Sequence, residues 1–136
     1  MATDRIRAGD TLSEIRFGPI SRTTLALYAG ASDDHNPVHI DLDFARQAGL
    51  DDVFAHGMLS FGVLTRVVTQ RFGAARLRSF GARFTAITHV HDVVSCHASV
   101  SECFEEDGER LARIAVFAQT AGGVTTLSGE AIVALD

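Results

Sequence analysis

Apolar and polar residues alternate along four segments in the second half of the chain. The alternating apolar positions are Phe80, Ala82, Phe84 and Ala86; Val94, Cys96, Ala98 and Val100; Ala112, Ile114, Val116 and Ala118; and Leu127, Ala131, Val133 and Leu135. Alternation of this length is typical of antiparallel strands with one buried face. Two turn-forming stretches, EEDGER (105–110) and AGG (121–123), separate the last three segments. The pattern therefore predicts an antiparallel sheet over residues 79–135.

In the first half of the chain, the apolar residues are spaced as in helices. Ser21 can cap a helix that carries Leu25 and Tyr28 on one face, and this helix must end before the proline-containing loop that follows. A short second helix, capped by Asp43, ends near Gly49. Two helices are therefore predicted before residue 50.

A third, longer helix is predicted from about Gly57 to Phe72, with Gly73 ending it. Its apolar residues occupy too much of the circumference for a surface helix, so it belongs inside the fold. The sheet predicted after it must cover it. The chain is therefore expected to form one α+β domain over residues 1–136.

Composition narrows the function. The net charge of −5 and the absence of Trp argue against nucleic-acid binding, and no apolar run approaches the length of a membrane span. Cys96 and Cys103 lie seven positions apart, so on one strand they face opposite sides and should not pair. Two unpaired cysteines and an N-terminus without a secretory signal predict a cytoplasmic protein.

Polar side chains crowd into the stretch SDDHNPVHID (32–41). Asp, Asn and Pro are ordinary turn formers, so this stretch can be a simple loop between helices. Two features favour a functional site instead. Ile40 after His39 indicates that the chain enters the core there, and His56 and Gly57 open the most buried helix.

The start of that helix offers a particular chemistry. Its first N–H groups have no partner within the helix, its dipole is positive at that end, and Gly57 lets a ligand approach the backbone closely. A carbonyl oxygen that gains negative charge would be stabilised there. Asp34 and His39 are candidates for the accompanying proton transfers, because a carboxylate tunes a nearby imidazole and fixes its tautomer.

A metal site is the weaker interpretation. His35 and His39 have a ligand spacing suited to a helix, but Pro37 between them forbids a regular helix. His89 and His91 could share a strand face, but no third ligand has a matching spacing. The sequence therefore predicts no bound metal ion.

A nucleophilic serine is also poorly supported, because no G-x-S-x-G is present. Ser60 lies within the third helix, where it can bond back to its own backbone, and Thr65 could line a cavity but is more readily explained by packing. His97, like His89 and His91, is interpreted as a solvated strand position.

Two motifs in these segments resemble those of the MaoC-like family of hot-dog-fold hydratases and dehydratases. The pattern D-x-N-P-x-H is matched by Asp34, Asn36, Pro37 and His39, and the helix-opening H-G-M by His56, Gly57 and Met58. The resemblance implies a hot-dog fold, in which a curved antiparallel sheet wraps a long central helix.

The resemblance also implies the reaction, which is reversible addition of water to a trans-2-enoyl thioester to give an (R)-3-hydroxyacyl thioester. Asp34 would be the main base, while His39 would orient the water and share the proton. The Gly57 N–H would polarise the thioester carbonyl, with His56 and Met58 beside it in the substrate-binding set. Asn36 would fix the loop. No cofactor is implied.

The substrate would be an acyl-CoA or an acyl carrier protein thioester, and the chain would pair with a second copy or with a related hot-dog subunit. Arg76, Arg78 and Arg83 are candidates for binding its phosphate, although solvated surface explains them equally well. His89 and His91 stand where relatives often carry proline and glycine. Two alternatives stay open, an acyl-CoA thioesterase and a non-catalytic acyl-thioester-binding subunit.

Overall fold

The computed structural model describes residues 5–135 of the chain. The helices are α1 (Arg22–Ser32), α2 (Leu42–Gln47) and α3 (Gly57–Phe72), and the strands are β1 (Ile15–Phe17), β2 (Leu77–Phe84), β3 (Val94–Glu106), β4 (Glu109–Thr120) and β5 (Thr125–Ala134). Short 3-10 turns lie at Pro37–His39 and Ala74–Arg76. Strand β1 was not predicted, because three residues are too few for a periodic pattern.

The strands form one antiparallel sheet in the order β1-β3-β4-β5-β2. The predicted alternation is confirmed most clearly in β3, where buried and partly exposed residues alternate strictly from Val94 to Val100. Asp107 and Gly108 have φ angles of 52° and 79° at the β3–β4 turn, a region that Asp and Gly tolerate better than most residues. Strands β1 and β2 are the two edges of the sheet.

Helix α3 lies against the inner face of this sheet. Leu64, Val67 and Val68 are buried and belong to one apolar cluster with β3, β4 and β5 residues such as Ile114. This is the expected hot-dog arrangement of a sheet around a central helix. The prediction that α3 is buried nearly all round was wrong at its first turn, where the Met58 side chain is 52% exposed. Within residues 5–135, no helix is long and apolar enough to cross a membrane.

A second apolar cluster holds the N-terminal helices against the end of the sheet. It consists of Ile20, Leu25, Ala45, Val53, Ala55 and Val90. All but Val90 come from α1, α2 and the loops that flank them, while Val90 lies in the loop between β2 and β3, so the cluster anchors both ends of the polar stretch 33–41. The position of that stretch therefore depends on packing far along the chain.

Several local predictions need correction. Ser21 caps α1 as predicted, but α2 is capped by Asp41, whose side chain accepts the Phe44 N–H at 3.1 Å, and not by Asp43. His89 and His91 lie in the loop before β3 and not on a strand, and His91 has a φ of 78°. Asp41 and Asp43 can both cap a helix, and the chain uses Asp41, which is the first of the two after the 3-10 turn.

The prediction that the two cysteines face opposite sides of one strand was wrong, because a bulge between Val100 and Glu102 shifts the alternation and puts Cys103 opposite Ala112, on the side of Cys96. Cys96 is buried on the inner face of β3, Cys103 is exposed, and both are free thiols. Burial raises the pKa of the Cys96 thiol to about 12, so it is inert at neutral pH.

Candidate active site

Short-range hydrogen bonds shape the segment between α1 and α2. Asp33 ends α1 in the left-handed region with a φ of 62°. One carboxylate oxygen of Asp34, Oδ1, accepts the Asn36 N–H at 3.2 Å, and the Asn36 side chain in turn accepts the Val38 N–H at 3.2 Å. Pro37 then begins the 3-10 turn that ends at His39. Consecutive side-chain turns of this kind hold the loop in one conformation.

This turn places the His39 side chain inside the protein, where the residue is only 8% exposed. Its Nδ1 lies 2.7 Å from the Phe54 carbonyl oxygen. A carbonyl can only accept, so Nδ1 carries the proton in the neutral ring and Nε2 keeps its lone pair. That Nε2 lies 4.0 Å from Oδ2 of Asp34, the carboxylate oxygen that the loop does not use.

His56, the residue before α3, is more deeply buried, at 1% exposure. Its Nε2 lies 3.1 Å from the carbonyl oxygen of Asp34, and its ring stacks on His39 with centroids 4.0 Å apart. The Tyr28 ring contacts it edge-on at 4.8 Å. Burial lowers the pKa of His56, which keeps it neutral, and burial together with the Asp34 charge raises the pKa of Tyr28.

Asp34, His39 and His56 therefore converge, as the sequence predicts for the first two. Their possible ligand atoms lie within 4.8 Å of one another. A metal ion must lie in the plane of each imidazole that binds it, at about 2.0–2.1 Å from the nitrogen. Because the two rings are stacked with only 27° between their planes, one ring would have to rotate before both could hold one ion.

The N-terminus of α3 faces the same space. His56 is its N-cap and makes no capping hydrogen bond with its side chain, and Gly57 is the first helical residue. A cavity of about 350 Å³ lies here, and the residues that line it are Asp34, Phe54, Ala55, His56, Gly57, Met58, Phe84, Ala86, Ile87, Thr88 and Leu127. Asp34, the His56 imidazole and the helix N-terminus thus line one largely apolar cavity, and His39 reaches it through its contacts with Asp34 and His56.

The Phe84 ring, at the end of β2, packs directly over Gly57. A Cβ atom placed on Gly57 would lie 2.6 Å from Cε1 of Phe84, so no larger residue fits without moving the ring. Sequence reasoning placed Phe84 on the sheet but missed this contact, as it missed Phe54 and Tyr28. These aromatic residues carry no motif, and only the packing shows their role.

Other candidates lie elsewhere or differ from expectation. The Ser60 hydroxyl is buried with no hydrogen-bond partner among the described residues, so the predicted bond to its own backbone is wrong. Thr65 does bond back, to the Phe61 carbonyl at 2.8 Å. Both residues lie on α3.

The three arginines differ from one another. Arg76 donates to the Leu135 carbonyl at 3.2 Å. Arg78 makes a two-pronged ion pair with Glu109 at 3.0 and 2.7 Å, so its guanidinium is already engaged. Arg83 is exposed on β2.

The fold and the enclosed site define a hot-dog protein with a carboxylate and an imidazole at the start of its central helix. Residues 7–121 match the family model described as "MaoC like domain", and the chain belongs to this family. Similar curated proteins include the (R)-specific enoyl-CoA hydratase of Rhodospirillum rubrum, 31% identical over 84% of this chain and 78% of that protein. The 3-hydroxybutyryl-CoA dehydratase of Methylorubrum extorquens is 30% identical over 90% of this chain and 77% of that protein.

The comparison with solved structures agrees with this family assignment. The unliganded R-hydratase PhaJ1 from Pseudomonas aeruginosa superposes with a TM-score of 0.84 at 25% identity, covering 97% of this chain and 84% of that one. The mitochondrial 3-hydroxyacyl-[acyl-carrier-protein] dehydratase of Arabidopsis thaliana is 32% identical over 65% of this chain. The match spans 52% of that protein's length.

Proposed function

We propose that this protein is a hydro-lyase that adds water reversibly to trans-2-enoyl thioesters, giving (R)-3-hydroxyacyl thioesters. One observation carries the proposal. The free carboxylate oxygen of Asp34 and the Nε2 lone pair of His39 face each other across 4.0 Å beside the N-terminus of α3. A water oxygen can lie about 2.8 Å from each of two acceptors at that separation.

The two side chains divide the proton transfer. The water donates one hydrogen to Asp34 and the other to His39, and its oxygen attacks C3 of the enoyl group as Asp34 takes the first proton. The electron pair of the double bond moves toward the thioester carbonyl. The held proton then passes to C2, so that OH and H have both been added and the side chains return to their starting states.

The α3 terminus stabilises the charge that develops between these steps. The Gly57 N–H donates to the thioester oxygen as it becomes an enolate, and the helix dipole adds to this effect. Asn36 fixes Asp34 through the loop, while Met58, together with Ile87 and Leu127, offers apolar surface for the acyl chain. The reverse sequence is the dehydration of a 3-hydroxyacyl thioester.

We propose further that the active protein is a dimer. Strand β2 is an edge of the sheet, and the cavity opens beside its end, where Met58, Phe84 and Ile87 expose large apolar side chains. A second hot-dog subunit at this edge would cover them. The partner could be another copy or a related subunit, as in the ChsH1-ChsH2 complex from Mycobacterium tuberculosis, a structural neighbour with a TM-score of 0.79.

The thiol carrier and the cellular location belong to the same proposal. An acyl-CoA or an acyl carrier protein thioester would place its polar arm outside the cavity, where Arg83 could meet phosphate. The cytoplasm remains the predicted location.

The decisive experiment is hydration of crotonyl-CoA, followed by loss of the enoyl absorbance. We expect turnover by the wild-type protein and a loss on the order of 10²–10⁴ in kcat for Asp34→Asn, which keeps the shape but removes the base. Asp33→Asn is the matched control, because the Asp33 side chain is 96% exposed.

Three outcomes would count against the proposal. Unchanged turnover in Asp34→Asn would refute the role of that carboxylate. Release of free thiol from a saturated acyl-CoA, without hydration of enoyl substrates, would show a thioesterase instead. Binding of acyl-CoA without any turnover, alone or with a related subunit, would show a non-catalytic component.

A further inference from the structure

We propose that His56 is a positioning residue, a neutral imidazole protonated on Nε2 that holds both Asp34 and His39 in their working arrangement and is itself fixed by Ser60. The inference rests on the proposed function and assigns to His56 a task different from contact with substrate. It rests on hydrogen bonds, ring stacking and two buried polar atoms.

The first argument is the bond to Asp34. The only atom of Asp34 that His56 contacts by hydrogen bond is its backbone carbonyl, so His56 Nε2 must be the donor. This bond ties the loop that carries the carboxylate to the start of α3, which supplies the amide. One imidazole therefore links the loop of the base directly to the oxyanion site.

The second argument is the relation between the two rings. His39 donates through Nδ1 and keeps its lone pair on Nε2, whereas His56 donates through Nε2 and keeps its lone pair on Nδ1. They stack at 4.0 Å, so two cations would repel strongly. The titratable groups around the pair are Tyr28 from α1 and Asp34 from the loop. Burial and the neighbouring His39 lower the pKa of His56, so His56 stays neutral and does not compete for the proton that Asp34 takes from the water.

The third argument concerns Ser60. Nδ1 of His56 and Oγ of Ser60 are both buried and lack a hydrogen-bond partner among the described residues. Residues four apart lie on one face of a helix, and helical side chains lean toward the N-terminus. The two atoms make no direct hydrogen bond, so we infer one bridging water, which accepts from the Ser60 hydroxyl and donates to the Nδ1 lone pair. This keeps the proton of His56 on Nε2.

Nitrogen-15 spectra of the histidine side chains test the assignment directly. The chain has six histidines, and single substitutions assign their signals. We expect His56 to be neutral at pH 7 with its proton on Nε2, and neutral His39 to show the opposite tautomer. A cationic His56 at pH 7, or one protonated on Nδ1, would overturn the proposal.

Kinetics test the consequence. His56→Phe keeps a ring to stack on His39 but loses the donor, and we expect kcat for crotonyl-CoA to fall about 10²-fold with KM nearly unchanged. His56→Gln keeps an amide N–H near the position of Nε2 and should remain within about tenfold of wild type. Ser60→Ala should fall between these variants and wild type, with Nε2 protonation of His56 reduced. His35→Gln, at an exposed histidine of the same loop, is the control.

The outcomes separate this inference from the proposed function. Wild-type protein without hydratase activity would refute the function, while the spectra would still test the tautomers. Active wild type with unchanged kcat and an unchanged pH profile of kcat/KM in His56→Phe would refute the positioning role alone. If His56→Phe does not fold, rescue by His56→Gln relative to His56→Ala decides the question, and equal activities in those two variants would overturn the role.

Discussion

Besides the exposed pair of His35 and Asp33, residues 5–135 bring a histidine beside a carboxylate in two clusters, and only one of them is built as a site. On the outer face of the sheet, His97 Nε2 lies 2.9 Å from the Ser95 hydroxyl and its Nδ1 lies 3.5 Å from a Glu14 oxygen. Its ring also stacks on Phe117. By residue types alone, this outer cluster resembles a hydrolytic triad more closely than Asp34 and His39 do.

The surroundings distinguish the two clusters. The His97 side chain is 30% exposed and the His39 side chain only 9%, whereas the carboxylates of the two clusters, Glu14 and Asp34, are similarly exposed at 45% and 51%. Around Ser95, β3 is paired on both sides, with β1 and β4, so its backbone N–H groups are used in the sheet. The inner cluster lies in an apolar cavity beside a helix start whose amides have no partner within the helix. The burial of the imidazoles and the free donors of the helix start, not the residue types, make the difference.

The largest effect in this comparison should come from substituting His39 of the inner cluster, and the matched substitution of His97 in the outer cluster is its control. His39→Gln removes the basic nitrogen that faces Asp34, and we expect a loss of about 10² or more in kcat for crotonyl-CoA hydration. His97→Gln should stay within about twofold, because the outer cluster takes no part in the reaction. Comparable losses in both variants would mean that the outer cluster shares in catalysis.

A smaller effect is expected from the helix start. Gly57→Ala puts a methyl group against Phe84 beside the proposed oxyanion site, and we expect kcat/KM to fall about tenfold. Gly62→Ala is the matched control, because a Cβ at Gly62 meets nothing within 4 Å. It should leave kcat/KM unchanged and stabilise the helix by about 0.5–1 kcal/mol, as measured by urea unfolding. Equal kinetics in the two variants would contradict the assignment of Gly57.

Acidic pH should lower the free energy of unfolding through His56 of the inner cluster. The pKa of His56 lies below its ordinary value of 6.5 in the fold, because burial disfavours its charged form. The unfolded chain therefore binds this proton more readily, so the free energy of unfolding falls as the pH drops below 6.5 and is unaffected by His56 above it. Urea unfolding near pH 7.5 and pH 5.5 should show a larger loss for wild type than for His56→Gln. An equal loss would indicate that His56 is protonated in the fold.

The smallest effect should come from the outer carboxylate. Glu14→Gln removes the charge beside His97 on an exposed surface, and we expect the free energy of unfolding to change by about 0.5 kcal/mol or less. Crotonyl-CoA hydration should be unaffected. A loss well above 1 kcal/mol would show that this cluster is structurally important despite its exposure.

The sequence by itself determined the sheet and the main helix. A period of two brings alternate residues of a strand to one face, so the buried positions of β3 and β4 could be assigned from local spacing alone. The bounds of α3 followed from Gly57, Phe72 and Gly73. The motif pair also identified Asp34, His39 and Gly57 as candidates, although neither motif states a distance.

The tertiary structure decided what surrounds those candidates. Asp34 and His56 are 22 residues apart, and their hydrogen bond exists because an apolar cluster packs α1 and α2 against the end of the sheet. The same packing brings the Phe54 carbonyl to His39. Local spacing governs strands and helices, since neighbouring residues set the backbone. The state of a buried imidazole depends on atoms that are distant along the chain, and only the folded chain brings those atoms together.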